Sequence, residues 1–351
     1  MSETAMRIKA EILFEFINNL FLWAGLNEEE ARFHSEAIIK TSLWGIDSHG
    51  IIRVPVYFNR IQKKAINPNP HITTVSSFMA FELLDGDKGS GFTVGRAAMK
   101  RAIDLAAQFG IGAVGVKNSN HFGAASIYSR IAVENGMIGY SSTNVKPLMI
   151  LNGASKPVAG NNPFSIAIPT FGEFPFVLDI ALSRIAGGKL ALAIKKNEKI
   201  PLDWATDEDG MPTDDPQKAF KGFLLPIAEH KGLGMAYAID IICGVMTGGG
   251  FQSDVKSMYE FPDDSSNTGH FMMAVNCSSV MDKETLKSRM YKYINNLKET
   301  PLRDKSIKIY LPGEIEYLNS LDREVNGIPI PEKTYSELIE LSKQTGISMG
   351  F

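Results

Sequence analysis

Residues 110–115 read GIGAVG, the spacing of the dinucleotide fingerprint GxGxxG, and their flanks constrain the fold more than any other stretch. In a Rossmann unit that loop leaves a strand and opens a helix, so the helix N-terminus faces a pyrophosphate. Here the order is reversed. VGRAAMKRAIDLAAQF has helical periodicity and runs into Gly110, whereas IGAVGVKNS leaves it as an apolar, strand-like run. Gly110 is predicted to cap a helix C-terminus, and the fingerprint is rejected. GISMG around Ser348 imitates a nucleophile elbow without the helix that must follow the serine. No HExxH, EF-hand loop or GxxxxGK[ST] occurs, so no metal site or P-loop is expected.

Around this segment, strands and helices alternate. Apolar residues every three or four positions make the first forty residues helical, with Gly25 ending one helix and Asn27 capping EEEARFHSEAIIKTSLW. INPNPHI, with Pro68 and Pro70, is a breaker and a domain boundary. FMAFELLDG, MIGYSSTN, FSIAIPT, FPFVLDIA and SIKIYLPGE are expected strands. Helices are expected at about 185–196, through 232–247, over the polar stretch 283–299, and after the Pro331–Glu332 turn.

Net charge is −3 with no basic stripe, so no nucleic-acid partner is expected, and an anionic substrate needs locally placed cations. Cys243 and Cys277 cannot make a disulfide framework; both lie in apolar stretches and are expected to be buried thiols in a reducing compartment. The N-terminus resembles an amphipathic helix rather than a signal peptide. GMAYAIDIICGVM carries Asp240 and is too short to span a bilayer, so no membrane partner and a cytoplasmic location are expected.

The six histidines separate by context. His34 and His71 are expected at the surface, and His270, before an apolar strand, is left open. His49, His121 and His230 are embedded among glycines and small polar residues. In GIDSHGIIRVPVYF a helix, or a turn leading into a helix, puts His49, Arg53 and Tyr57 on one face beside Ser48. A guanidinium that grips a carboxylate in two places and an imidazole that handles a carbonyl proton suit a 2-oxo acid. The competing reading is a capping serine beside a surface histidine and an ordinary arginine. In NSNHFGAASIY, His121 lies in a strand-to-helix loop whose amides suit phosphate, unless Asn120 merely caps the helix. In AEHKGLGMAYAIDI, Lys231 adds charge to the positive end of a helix, or is simply solvated. Asp179, at the end of an apolar strand, needs a partner.

SHGIIRVPVY, NSNHFGAA, AGNNPFSIAIP, LDIALS, GGK, IPLDWATDEDGMPTDDP, LLPIAEHKGLGMAYAIDIICGVMTGG and YLPGE followed by GIPI occur in this order. Together they resemble the malate/L-lactate dehydrogenase type 2 family over nearly the whole chain, from about residue 5 to residue 340. The resemblance implies an α+β fold with a non-Rossmann, largely antiparallel cofactor domain at 71–284. Residues 1–70 and 285–351 would form a helical domain built from both chain ends. It implies a homodimer that uses NAD, with NADP possible, to interconvert a small 2-hydroxy acid and its 2-oxo acid. Malate is the first choice and ureidoglycolate the runner-up. The family's relay matches Ser48, His49 and Asp179, its alternative acid/base matches His121, and its carboxylate arginine matches Arg53, with Tyr57 close by. Its cofactor contacts match Asn120, His121, Phe122, Gly123 and Ala124; Asp179, Ile180 and Ala181; Lys231 and Gly232; and Pro312, Gly313 and Glu314. Trp44 stands where many members have Arg, Leu182 where Thr is usual, and Ala228–Glu229 where a Gly is common. A hydrolase built on Ser48, His49 and Asp179 is disfavoured, because adjacent Ser and His side chains diverge on most backbones.

Overall fold

The computed structural model describes residues 6–151 and 153–350. After a short strand β1 (Met6–Ile8), the apolar spacing of the N-terminal region folds as α1 (Ala10–Ala24) and α2 (Glu28–Leu43). Gly25 ends α1 with φ 109°, and the Asn27 side chain accepts the Glu30 N–H at the start of α2, both as expected. Helix α1 turns Leu13, Phe16, Ile17 and Leu20 into the core, a stripe at i, i+3, i+4 and i+7.

His34 is a correction. It is fully buried, with Nδ1 2.7 Å from the Glu30 carbonyl and Nε2 2.7 Å from Ser90 Oγ. Both nitrogens have interior partners, which removes most of the cost of burying a polar ring. The segment after α2 is a turn leading into a helix, one of the two shapes expected for it. Two short 3₁₀ turns, Asp47–His49 and Ile51–Arg53, break at Gly50 before α3 (Val54–Gln62) begins with Pro55 in its first turn.

The central sheet is assembled from β2 (Thr73–Phe78), β3 (Phe81–Asp85), β4 (Ile111–Ser119), β5 (Met137–Thr143), β8 (Phe164–Ile168), β9 (Phe176–Ile180) and β10 (Thr268–Asn276). Strands β6 (Met149–Ile150) and β7 (Pro157–Ala159) form a separate hairpin. The seven strands run β2-β3-β4-β10-β5-β8-β9, so the late strand β10 inserts between β4 and β5. The β3–β4 pair is parallel and the other five neighbouring pairs are antiparallel. Helices α4 (Gly91–Phe109) and α5 (Ser126–Glu134) pack against it. A Cβ on Gly112 would lie 2.2 Å from the Ala102 carbonyl, and one on Gly139 2.2 Å from the Ser129 carbonyl. Glycine at these two points is what lets both helices approach the sheet so closely.

Gly110 ends α4 with φ 83° and β4 leaves it, so GIGAVG stands as a helix-to-strand junction. FMAFELLDG is a hairpin rather than one strand: β2 ends in it, Met79 turns with φ 49°, and β3 follows. Beyond the sheet come α6 (Gly187–Lys196), α7 (Pro216–Lys221) and α8 (His230–Asp240), which passes into a π-helical turn at Ile241–Val245. Cys243 is buried there, whereas Cys277 is only half-buried, short of the core position expected.

After α9 (Lys283–Lys298), SIKIYLPGE is irregular rather than a strand. Of its apolar residues Ile307 and Tyr310 stay exposed, Ile309 is half-buried and Leu311 is buried. Helix α10 (Glu314–Asn326), β11 (Ile328–Ile330) and α11 (Glu332–Thr345) complete the fold, and β11 pairs antiparallel with β1, joining the two ends of the chain. One apolar core runs continuously from α1, α2 and α11 through α4 and α5 into β4 and β10.

Candidate active site

The 3₁₀ turns after α2 and the loop between β4 and α5 bring two histidines face to face. The rings of His49 and His121 are stacked with centroids 5.6 Å apart and planes within 10°. Ser48 Oγ lies 2.9 Å from His49 Nδ1. Tyr57 Oη lies 2.7 Å from His121 Nδ1, and the Gly123 N–H donates to the same nitrogen at 3.3 Å. A backbone N–H can only donate, so Nδ1 of neutral His121 is an acceptor and the ring proton belongs on Nε2. Among the described residues, neither histidine's Nε2 has a hydrogen-bond partner.

Arg53 sits beside this pair. Its Nε donates to the Ser48 carbonyl at 2.6 Å, and the Tyr259 ring covers its guanidinium at 5.5 Å. No described hydrogen bond or ion pair uses its terminal nitrogens. The turns leading into α3, the second of the two expected shapes, bring His49, Arg53 and Tyr57 together. Burial, and then the Arg53 charge, push the His49 imidazole down to about 4. Burial pushes His121 well below the ordinary histidine range, with His49 and Arg53 adding to it. Both rings are therefore neutral at pH 7, and a negative charge placed on Arg53 would ease their protonation. Burial pushes the Tyr57 hydroxyl well above its ordinary range, so it stays protonated.

His270, left open by the sequence, is a support. It is fully buried, its ring nitrogens lie 2.8 Å from Thr143 Oγ1 and from Ser119 Oγ, and its ring stacks on Phe122 at 4.8 Å. His230 begins α8 on the surface, and His71 is exposed as expected.

Asp179 is placed apart from the histidines. Its carboxylate accepts the Ser126 backbone N–H at 2.9 Å at the start of α5. Burial pushes its pKa up, against the pull of Ser126 and of Arg130. The described contacts contain no link from Asp179 to Ser48 or His49, so the three are not assembled as a triad. Asn120 is not the cap of α5 either: it is buried, taking hydrogen bonds from Arg60 and Ser266 and donating to the Lys88 and Gly89 carbonyls.

Strand β9 and its continuation tie together the remaining expected positions. Asp179 meets the loop of Asn120, His121, Phe122, Gly123 and Ala124 through Ser126. The Val177 N–H donates to the Pro312 carbonyl at 2.9 Å, fixing Pro312, Gly313 and Glu314, and Gly313 caps α10 with φ 94°. Past Ile180 and Ala181, the Leu182 carbonyl accepts the Ile227 N–H at 2.9 Å, just before Lys231 and Gly232. Lys231 is exposed and enters no described ion pair. A buried polar atom near Asp179, Arg130 Nε, has no hydrogen-bond partner among the described residues, which fits a polar ligand resting on this strand.

The unusual residues noted in the sequence have structural counterparts. Trp44 stacks on the Arg130 guanidinium at 4.3 Å. Leu182 is fully buried in an apolar cluster with Leu233 and Ala236. Ala228 and Glu229 adopt φ 45° and 52°, the left-handed region a glycine would occupy without strain. The sequence reading missed Arg60 and Tyr259. Arg60 follows Tyr57 by three positions on α3 and so shares its face, a signal that was present; Tyr259 comes from a distant loop and gave none.

Comparisons with known proteins match nearly the whole chain. The family described as malate/L-lactate dehydrogenase matches residues 8–339. A malate dehydrogenase of Pyrococcus abyssi is 37% identical, covering 99% of this chain and 97% of its own. The NAD(+) ureidoglycolate dehydrogenase of Escherichia coli strain K12 is 30% identical, covering 95% of each. The solved sulfolactate dehydrogenase of Methanocaldococcus jannaschii superposes with TM-score 0.92 at 34% identity, covering 98% of each chain.

Proposed function

Because this chain belongs to the malate/L-lactate dehydrogenase family, and is thereby an NAD(P)-dependent oxidoreductase acting on the CH–OH group of small hydroxy acids, we propose that it interconverts malate and oxaloacetate with NAD. The observation that carries the reading is Arg53: its terminal nitrogens are unengaged among the described residues, beside two stacked neutral imidazoles. Arg53 binds the substrate carboxylate through those nitrogens, a charge-assisted two-point contact that fixes the adjacent C2. His49 takes the hydroxyl proton in oxidation and returns it in reduction; Ser48 holds its Nδ1 and leaves Nε2 for the substrate. His121, steadied by Tyr57 and Gly123, shares the proton or orients the cofactor. A nicotinamide cofactor held beside C2 would supply the hydride acceptor for oxidation and the hydride donor for reduction.

The residues that hold the cofactor are the 120–124 loop, Asp179 to Ala181, Lys231 with Gly232, and Pro312 to Glu314. What supports this is their common attachment to β9 and its continuation, and the unpartnered Arg130 Nε beside it. The malate assignment rests on the P. abyssi relative, and ureidoglycolate is the second reading. No described helix is long and apolar enough to cross a membrane; a cytoplasmic homodimer is part of the same proposal. The test is oxidation of NADH and of NADPH, followed by absorbance, against a panel of 2-oxo acids. Oxaloacetate with NADH is expected to give the highest kcat/KM. A higher value for another acid replaces malate, and turnover of none of them removes the reading.

A further inference from the structure

A buried arginine at the back of the site holds a loop that the reaction scheme has not used. Arg60 is 2% exposed, and its guanidinium donates to the carbonyls of Phe261 and Asp264 at 3.3 and 2.8 Å, and to that of Met258 at 3.5 Å. The same group donates to Asn120 Oδ1 at 3.0 Å and to Ser266 Oγ at 3.2 Å. One side chain thus fastens residues 258–266 to the residue preceding His121. Lys63–Asp263, Lys256–Asp264 and Lys146–Glu260 ion pairs pin the same loop from outside. At its tip, Tyr259 is 58% exposed, and its ring lies over the Arg53 guanidinium at 5.5 Å. An exposed aromatic ring is not there to fill a core. It covers one face of a cation whose Nε is already committed to Ser48, leaving the edge with the terminal nitrogens for a ligand.

We propose that Tyr259 is a positioning residue: carried by the loop that Arg60 fastens, it stacks on Arg53 and sets the guanidinium for the substrate carboxylate. The inference rests on the reading of Arg53 as the carboxylate clamp. Tyr259→Ala removes the stacked face and frees the guanidinium to turn. The KM for oxaloacetate is then expected to rise roughly tenfold, as for loss of a partly desolvated cation–π contact, while kcat stays within about twofold. Tyr259→Phe keeps the face and restores the wild-type KM. A general structural defect would instead lower kcat, alter NADH binding read by its fluorescence, and not be rescued by phenylalanine.

Arg53→Ala run alongside separates the two ideas. If it leaves the KM unchanged, the clamp reading itself falls. If it raises the KM while Tyr259→Ala does not, the clamp stands and the role of Tyr259 is overturned. A Tyr259→Phe variant no better than Tyr259→Ala also overturns it, because the hydroxyl rather than the face would then matter. Arg60→Lys, which cannot reproduce the forked contacts, is expected to give the same rise in KM if it folds. The two Tyr259 variants decide the matter if it does not.

Discussion

At the residue scale the stacked His49–His121 pair poses the sharpest question, because each ring has one nitrogen held and one without a partner among the described residues. Both are kept neutral by burial and by nearby positive charge, His49 down at about 4 and His121 well below its usual range. A dianionic substrate on Arg53 removes part of that repulsion, so the ionisation that controls turnover is expected to lie higher in the complex than in the free enzyme. His49 is the group coupled most directly to Arg53, whose charge is its second-largest perturbation. His49→Asn is therefore expected to abolish the acid limb of the kcat–pH profile and cost about 10²–10⁴-fold in turnover. His121→Asn is expected to keep that limb and to weaken NADH binding instead. The profiles of both variants decide it: a limb lost only in His121→Asn reverses the two roles.

At the scale of elements, the parts of the sequence with clear periodicity were legible and the parts whose shape depends on distant partners were not. Helices α1, α2, α4 and α9 follow their apolar or capping patterns, and β4 was bounded correctly because Gly110 marks its start. SIKIYLPGE alternates like a strand, but alternation only makes a strand where an edge accepts it, and none does. Arg53 and Tyr57 were found through their spacing from His49, in a segment that folds as 3₁₀ turns leading into α3. Their neighbour Tyr259 lies 206 positions beyond Arg53 and was invisible to any local pattern. Helix α8 carries a further consequence. Met235, Ile241 and Val245 are 40%, 55% and 54% exposed, and with Ala238 they form an apolar stripe at helical spacing running into the π-helical turn. A stripe of this kind fits a second copy of the chain. Light scattering is expected to give the mass of two chains for the native protein, and of one chain for the paired change Ile241→Lys with Val245→Lys. A single-chain mass in the native protein would remove the homodimer.

At the scale of the whole molecule, the fully buried histidines couple stability to acid. His34 and His270 are both 0% exposed and both pushed down to about 3 by burial, whereas in the unfolded chain they titrate near 6.5. Their folded pKa values lie below the unfolded ones, so between about pH 6.5 and 3 the unfolded state binds more protons and stability falls as pH falls. From pH 7 to pH 5 each should cost on the order of 2 kcal/mol, since the unfolded imidazole gains a proton that the folded one refuses. Asp179 and Asp240, whose carboxyls are pushed up by burial, act in the opposite sense, so the total slope alone does not isolate the histidines. His34→Gln does, because glutamine offers a donor and an acceptor in place of the ring contacts to Glu30 and Ser90 but takes no proton in this range. Urea unfolding at pH 7 and pH 5 is expected to show a smaller loss of stability in His34→Gln than in the native protein, by about 2 kcal/mol. Equal losses in the two proteins would mean that His34 is protonated as easily inside the fold as outside it, and that its enclosure between α2 and Ser90 opens readily to water.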